Sequence, residues 1–262
     1  MEAHRSLPSI SLTESLAGFR GARAPEEMRP VFIEANPGRP GTSSVAYGDS
    51  VVLCTVLGPM GKQGRIHDQD TAVVSSALMT DGAEMLIDVN VATAEDSRSP
   101  DLPQELISLA GHLKDTLSGV VELDKLSGTL LHLQVTVLSQ GGSLLACSTT
   151  CASMALAHAG IPMKDILVGL SLAAVETSPR VLDYYVDVEA SEEQYLTSLS
   201  DGRNYSWVDV AVCHARRQVS FLRVRGGVVF SPDISPDLSA LAEAAANQIG
   251  NAVKRALRSA VE

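Results

Sequence analysis

The chain has no apolar run approaching the length that spans a bilayer, so it reads as a protein without a membrane-crossing helix. Its opening stretch, MEAHRSLPSISLTESLAGFRGARAPEEMRP, lacks the compact apolar core of a secretory signal. The Arg, Ser and Ala there faintly resemble a transit peptide, but Glu2, Glu14, Glu26 and Glu27 oppose that reading, and residues 1–28 are expected to form an extended arm on an intracellular protein. Cysteine is sparse: Cys54, Cys147, Cys151 and Cys213 lie in apolar segments without disulfide-scaffold spacing, which predicts reduced, buried thiols. Basic charge is also short, with 20 Lys and Arg against 31 Asp and Glu and a net charge of −11. That balance argues against a free-standing nucleic-acid binder, because neutralising phosphates supplies most of such a protein's affinity.

The scarcity of cations matters most at one place. Leu130 to Leu138 has the parity of a strand, with Leu131, Leu133, Val135 and Val137 on one side. Gly141-Gly142-Ser143-Leu144 follows, then a helical pattern through His158 that Gly160 and Pro162 end. Strand, glycine turn and helix, with Ser143 as the expected N-cap, aim backbone N–H groups and the positive end of a helix at an anion. Yet Leu144 and Leu145 stand where a charged clamp would be needed, with no Arg or Lys beside them.

Around this turn the patterns predict an α+β protein. Strands are expected at Pro30–Asn36, Ser44–Tyr47, Val51–Leu57, Thr71–Met79 and Met85–Val91, then an amphipathic helix over Leu102–Val121 with Leu102, Leu106, Leu109, Leu113 and Leu117 inward. Past Pro162 come strands at Ile166–Val175, Val181–Val188, Trp207–His214, Val219–Val224 and Val228–Phe230. A last helix is capped by Ser235, with Pro236 at its first position, and carries Leu238, Leu241, Ala245, Ile249, Val253 and Leu257 on one face. The expected division is an arm at 1–28 and two strand-then-helix halves at 29–161 and 162–262, with 45% hydrophobic residues to fill the core.

GGSLLAC, MALAHAGIPM and GTSSVAYGDSVVLCTVLGP resemble RNase PH family proteins, whose usual versions run D-G-G-T-R, A-x-A-D-A-G-I-P-M and G-S-A-x-V-x-x-G-x-T-x-V-L-x-x-V-x-G-P. The resemblance covers roughly Arg29 to the C-terminus. It implies the RNase PH fold, related to the second domain of ribosomal protein S5, in which members assemble edge to edge into hexameric rings. The active pattern places Arg directly after G-G-T, where this chain has Leu144, so it looks more like the non-catalytic ring subunits of the eukaryotic RNA exosome. Active relatives also carry an arginine pair before the first helix, where this chain has Asp101-Leu102-Pro103-Gln104-Glu105. The family's acidic pair, V-L-D-x-x-x-x-x-D, resembles Val181-Leu182-Asp183 with Glu189 at the second spacing, and two carboxylates of this kind can hold a hard cation.

The resemblance thus implies a structural subunit of the exosome core without catalysis or cofactor of its own, working in 3′-to-5′ RNA processing and decay. Its implied partners are other RNase PH-like subunits in a hetero-hexameric ring, cap subunits, an associated hydrolytic nuclease and RNA passing through the assembly; its implied place is the nucleus, including the nucleolus, and the cytoplasm. Gly141, Gly142, Ser143 and Leu144 are then a remnant phosphate loop, Asp183 and Glu189 vestigial acids, and Lys62, Arg65 and Arg98 the candidate RNA contacts, with Arg216, Arg217, Arg223 and Arg225 as weaker ones. The alternative is an active phosphate-dependent 3′-to-5′ exoribonuclease using Mg2+, phosphate and an arginine lent by a neighbour, within the ring or as a small self-associating enzyme. Two further motifs lose to plainer readings. Cys147, Cys151 and His158 are too spread along one helix for a tetrahedral metal centre. Pro37–Ala46 faintly resembles the phosphate loop of GHMP small-molecule kinases, but the β-branched, turn-punctuated VAYGDSVVLCTV after it reads as a hairpin, not the helix such a loop must open.

Overall fold

The computed structural model describes residues 23–36, 38–61, 84–91, 104–126, 129–178, 181–199, 205–227 and 235–261. The strands expected at Thr71–Met79 and Val228–Phe230 lie outside these residues. The first sheet is built from β1 (Val31–Ala35), β2 (Thr42–Tyr47), β3 (Ser50–Gly61), β4 (Glu84–Val91) and β5 (Thr129–Ser139), in the order β1-β2-β3-β5-β4. Its pairings are antiparallel except β4 with β5, which run parallel because α1 (Gln104–Ser118) makes the crossover between them. The second sheet contains β6 (Leu167–Ser178), β7 (Val181–Val186), β8 (Tyr205–Cys213) and β9 (Gln218–Gly226), antiparallel throughout and ordered β7-β6-β8-β9. Two strand-rich halves, each with helices, give the α+β architecture that the patterns predict.

Between the sheets lies α2 (Leu144–His158), buried from Leu145 to Leu156. A helix apolar or small on every side has no solvent face to keep, so it belongs in the interior. Its small polar residues fasten it to both sheets: Thr150 Oγ1 is 2.8 Å from the Tyr47 hydroxyl of β2 and accepts the Gly169 N–H of β6 at 2.9 Å. Ser153 Oγ accepts the Leu167 N–H at 2.8 Å, and Ser43 Oγ donates to the Cys151 carbonyl at 2.8 Å. The helix ends in a Schellman closure, with Gly160 at φ 72, its N–H on the Ala157 carbonyl and the Ile161 N–H on the Leu156 carbonyl.

Among the described residues, the helix faces legible in the sequence are the ones buried; Leu102, also expected inward, lies outside them. Leu106, Leu109, Leu113 and Leu117 of α1 enter the core, as do Ala245, Ile249 and Val253 of the last helix, α4 (Ser235–Val261), with Leu238, Leu241 and Leu257 packed against it. One helix was not foreseen. α3 (Ala190–Leu199) has a polar sequence that buries Leu196 and Glu192 and shows too little apolar periodicity to announce itself. Before it, β7 stops at Val186, two residues short of the expected Val188, because Asp187 takes a left-handed conformation at φ 53 that ends the strand; α3 starts at Ala190.

β6 crosses α2 at Gly169, where any Cβ would run into the Ala146 carbonyl of the helix. Gly169→Ala is therefore expected at the upper end of the roughly 1–3 kcal/mol cost of overpacking. Gly111→Ala, on α1 with nothing within 4 Å of the added methyl, should instead gain about 0.4–1 kcal/mol. Midpoints of urea unfolding, at unchanged slope, check both signs.

Candidate functional site

The glycine turn before α2 is held by close backbone approach. A Cβ on Gly141 would stand 2.6 Å from Asp49 Cβ, and one on Gly142 would stand 2.6 Å from the Ala190 nitrogen and 2.7 Å from the Val188 oxygen. The Gly141 N–H donates to Ser50 Oγ at 2.9 Å, and that hydroxyl donates to the Gly142 carbonyl. The Gly141 carbonyl accepts the Ala190 N–H at 3.1 Å. Ser143 departs from the expected cap: it is left-handed at φ 54, its hydroxyl donates to the Val188 carbonyl at 3.0 Å, and it makes no side-chain bond to the helix. The segment Asp187–Ala190 thus lies against the face of the turn.

The acid at this junction is Asp187. Arg29, just ahead of β1, forks onto it with Nε to Oδ2 at 2.9 Å and Nη2 to Oδ1 at 2.6 Å, while the Arg29 backbone N–H donates to Oδ2 at 2.9 Å. Arg29 Nη1 reaches the Gly141 carbonyl at 2.6 Å, so this one guanidinium joins the acid to the glycine turn. Both partners are out of water, with side-chain exposures of 7% and 2%. Burial alone would raise the Asp187 carboxyl, but the bonds and charge of Arg29, aided by Arg23, prevail and hold it below the ordinary carboxylate value. Burial likewise works against the charge on Arg29, and Asp187 overcomes it and raises that guanidinium further.

A second fork stands beside the first. Arg23 Nη2 meets Glu192 Oε1 and Oε2 at 2.7 and 2.9 Å, and its Nη1 donates to the Asp187 carbonyl at 3.2 Å. Glu192 also accepts the Glu189 N–H at 2.9 Å, the return bond of a capping box at the start of α3. The Val186 N–H donates to the Pro25 carbonyl, so residues 23–29 form a strap across the β7–α3 turn.

Of the residues singled out from the sequence, Gly141, Gly142, Ser143 and Leu144 sit together at this turn, and Leu144 is half-buried with no cation of its own. Asp183 lies on β7, half-buried and in register with Val175. Glu189 is the residue before α3, its carbonyl accepting the Glu193 N–H at 2.9 Å. The turn's polar contacts fall on Ser50, Arg29, Val188 and Ala190, with Asp187 joined to it through Arg29; Asp187, Val188 and Ala190 lie in the segment that follows Asp183 and flanks Glu189. Lys62, Arg65 and Arg98 lie outside the described residues. Arg223 Nε and Nη2 grip Asp209 at 3.0 and 2.6 Å, Arg225 stands 3.5 Å from the same carboxylate, and Arg217 pairs with Glu243 at 2.9 Å.

Pattern reading missed Arg23, Arg29, Asp187 and Glu192. One signal was present: Asp187 interrupts the apolar stretch Tyr184–Val188, and an acid buried in such a stretch needs a cation. The two guanidiniums that reach this site among the described residues, Arg29 and Arg23, are both engaged by carboxylates. Among the described residues no group of three or more His, Cys, Asp or Glu side chains could hold a metal ion. Cys147 and Cys151 are buried thiols whose Sγ atoms face the Val45 and Ser43 carbonyls, and burial pushes Cys151 up to about 12.

Comparison with known proteins adds independent findings. The pattern of the 3′ exoribonuclease family, domain 1, with its RNase PH domain, matches residues 27–162. The chain is 31% identical over 158 residues to the human exosome complex component MTR3, covering 58% of each. It is 27% identical over 175 residues to the exosome complex component Rrp41 of Pyrobaculum neutrophilum, covering 66% of each. The crystal structure of rice (Oryza sativa) Rrp46 matches with a TM-score of 0.70 at 21% identity, over 91% of this chain and 99% of that one, a likeness of fold.

Arg29→Met strands the Asp187 carboxylate in the interior and is expected to cost about 3–5 kcal/mol, with Asp187→Leu added to it recovering part of the loss. Because the folded Asp187 titrates below its unfolded value, its contribution is whole above about pH 4 and drains away as pH falls further. Thermal unfolding from pH 7 to pH 2 should therefore show a steeper acid loss in the wild type than in the double variant.

Proposed function

The chain belongs to the 3′ exoribonuclease family with an RNase PH domain, and on that footing we propose that it is a catalytically silent subunit of an RNA exosome ring. The observation that carries this reading is the engagement of Arg29 and Arg23 by Asp187 and Glu192 beside a turn whose first helical residue is Leu144. Phosphorolysis needs positive charge free to meet the incoming phosphate and the charge that develops on it, usually the largest single contribution to such catalysis. Here the guanidiniums at the turn neutralise internal acids and hold backbone, which makes them parts of the scaffold.

In this reading the subunit takes no cofactor and contributes shape and association. Its neighbours are other RNase PH-like subunits of a hetero-hexameric ring, with cap subunits and a hydrolytic nuclease acting on RNA that the ring conducts. The net charge of −11 is consistent with that role, because a basic RNA path can be supplied by neighbours while this subunit remains acidic. It would work where such an assembly works, in the nucleus with its nucleolus and in the cytoplasm.

The deciding experiment incubates the protein, alone and in its complex, with labelled single-stranded RNA, Mg2+ and phosphate. No nucleoside diphosphate should be released by this subunit, and Asp183→Ala should leave RNA decay by the whole complex unchanged. Diphosphate release that disappears in Asp183→Asn would establish the competing reading, an active phosphorolytic exoribonuclease completed by a neighbour's arginine.

A further inference from the structure

The hairpin joining β8 to β9 carries features that the ring reading does not use. The turn His214–Arg217 is closed by the Arg217 N–H on the Cys213 carbonyl at 2.8 Å, and every residue from Ala215 to Ser220 is exposed. β9 lies at the open edge of its sheet, and its pairing with β8 slips: Val219 faces Val212 and Phe221 faces Ala211. Ser220 is thus the extra residue of a bulge, with no partner across the ladder. A bulge on an edge strand interrupts the hydrogen-bond ladder and bends the strand, leaving the extra residue unpaired.

The Ser220 hydroxyl makes no hydrogen bond among the described residues. It lies beside Gly119, where an added Cβ would be 3.6 Å from Ser220 Oγ. The same Gly119 offers its carbonyl to the exposed Lys164 ammonium at 2.9 Å. The sequence around the hydroxyl is Arg216-Arg217-Gln218-Val219-Ser220-Phe221, with guanidiniums four and three residues before it and an apolar residue directly after. Arg217 is 66% exposed while touching Glu243, so its charge remains available to an incoming acidic surface.

We propose that Ser220 is a phosphoacceptor site for an arginine-directed protein kinase. Kinases discriminate substrates by charge patterns flanking the hydroxyl, and two arginines at these spacings suit an enzyme with acidic subsites. Ser220 Oγ attacks the γ-phosphorus of ATP: the new O–P bond forms as the bond to the β–γ bridging oxygen breaks. ADP leaves with that electron pair, and the hydroxyl proton passes to the kinase's catalytic carboxylate. The product carries nearly two negative charges next to Gly119, where the carbonyl end of α1 is unfavourable and Lys164 offsets it. It also places that charge among Val219, Leu222 and Val224, which are 58%, 58% and 44% exposed along the same edge.

The test uses the full 262-residue chain with the catalytic domain of an arginine-directed Ser/Thr kinase, Mg2+ and ATP labelled in the γ-phosphate. The expected result is labelling mapped to Ser220 by mass spectrometry and absent from Ser220→Ala, with kcat/KM for Arg216→Gln/Arg217→Gln reduced by about tenfold or more. Circular dichroism and melting of each variant confirm that its fold is kept. Labelling that survives in Ser220→Ala, or labelling of a peptide spanning residues 214–224 while the folded chain stays unlabelled, would overturn the proposal. Neither result bears on whether the protein is a silent ring subunit.

Discussion

A guanidinium and a carboxylate, both removed from water, hold three distant pieces of this chain in one place. Arg29 leads into β1, Asp187 turns β7 into α3, and Gly141 opens the turn before α2; the bonds among them fix all three. Taking either charge out of water is costly, and the pair persists because the fork is bidentate, the acid's oxygens accept further donors, and the remaining guanidinium nitrogen finds a carbonyl. Such an arrangement tolerates little rearrangement, since any group withdrawn leaves a buried charge without its partner. The turn therefore has a settled shape, and among the described residues the guanidiniums beside it are held by carboxylates, which is the observation the proposed silent role starts from.

The second determinant is α2, a helix made of small residues so that two sheets can approach it from opposite sides. Gly169 lets β6 come against its backbone, and Thr150 is shared between β2 and β6. Because the same helix begins at the glycine turn, the packing of the whole core sets where that turn points. Fold and candidate site are in this sense one construction, with the straps of Arg23 and Arg29 closing its open side.

Much of the fold was legible because long elements carry strong periodicity. The alternation of Leu131, Leu133, Val135 and Val137 and the leucine face of α1 leave few alternatives. α3 was not legible: its ten residues bury little, and it exists because Asp187 turns the chain and Glu192 closes a cap. At the site, motif spacing drew attention to Asp183 and Glu189, whereas the direct bonds to the turn come from Val188 and Ala190, and Asp187 reaches it through Arg29. Ser143 fits a capping pattern in sequence but serves the Val188 carbonyl in three dimensions. Such long-range pairings leave no local periodicity. The pairing of Arg29 with Asp187 spans 158 positions, and only the apolar residues around Asp187 hinted that it needed a partner.

That separation has a bearing on how the molecule comes into being. On the ribosome the strap and the first sheet emerge long before residue 187, so the nascent N-terminal half must wait with its arginines facing solvent until the later half is synthesised. Contacts this far apart in sequence close late and slowly, and they make maturation contingent on the complete chain. A translation product truncated before β7 would keep β6 but lack the acid that closes the junction, leaving Arg29 without its carboxylate and the glycine turn unlatched.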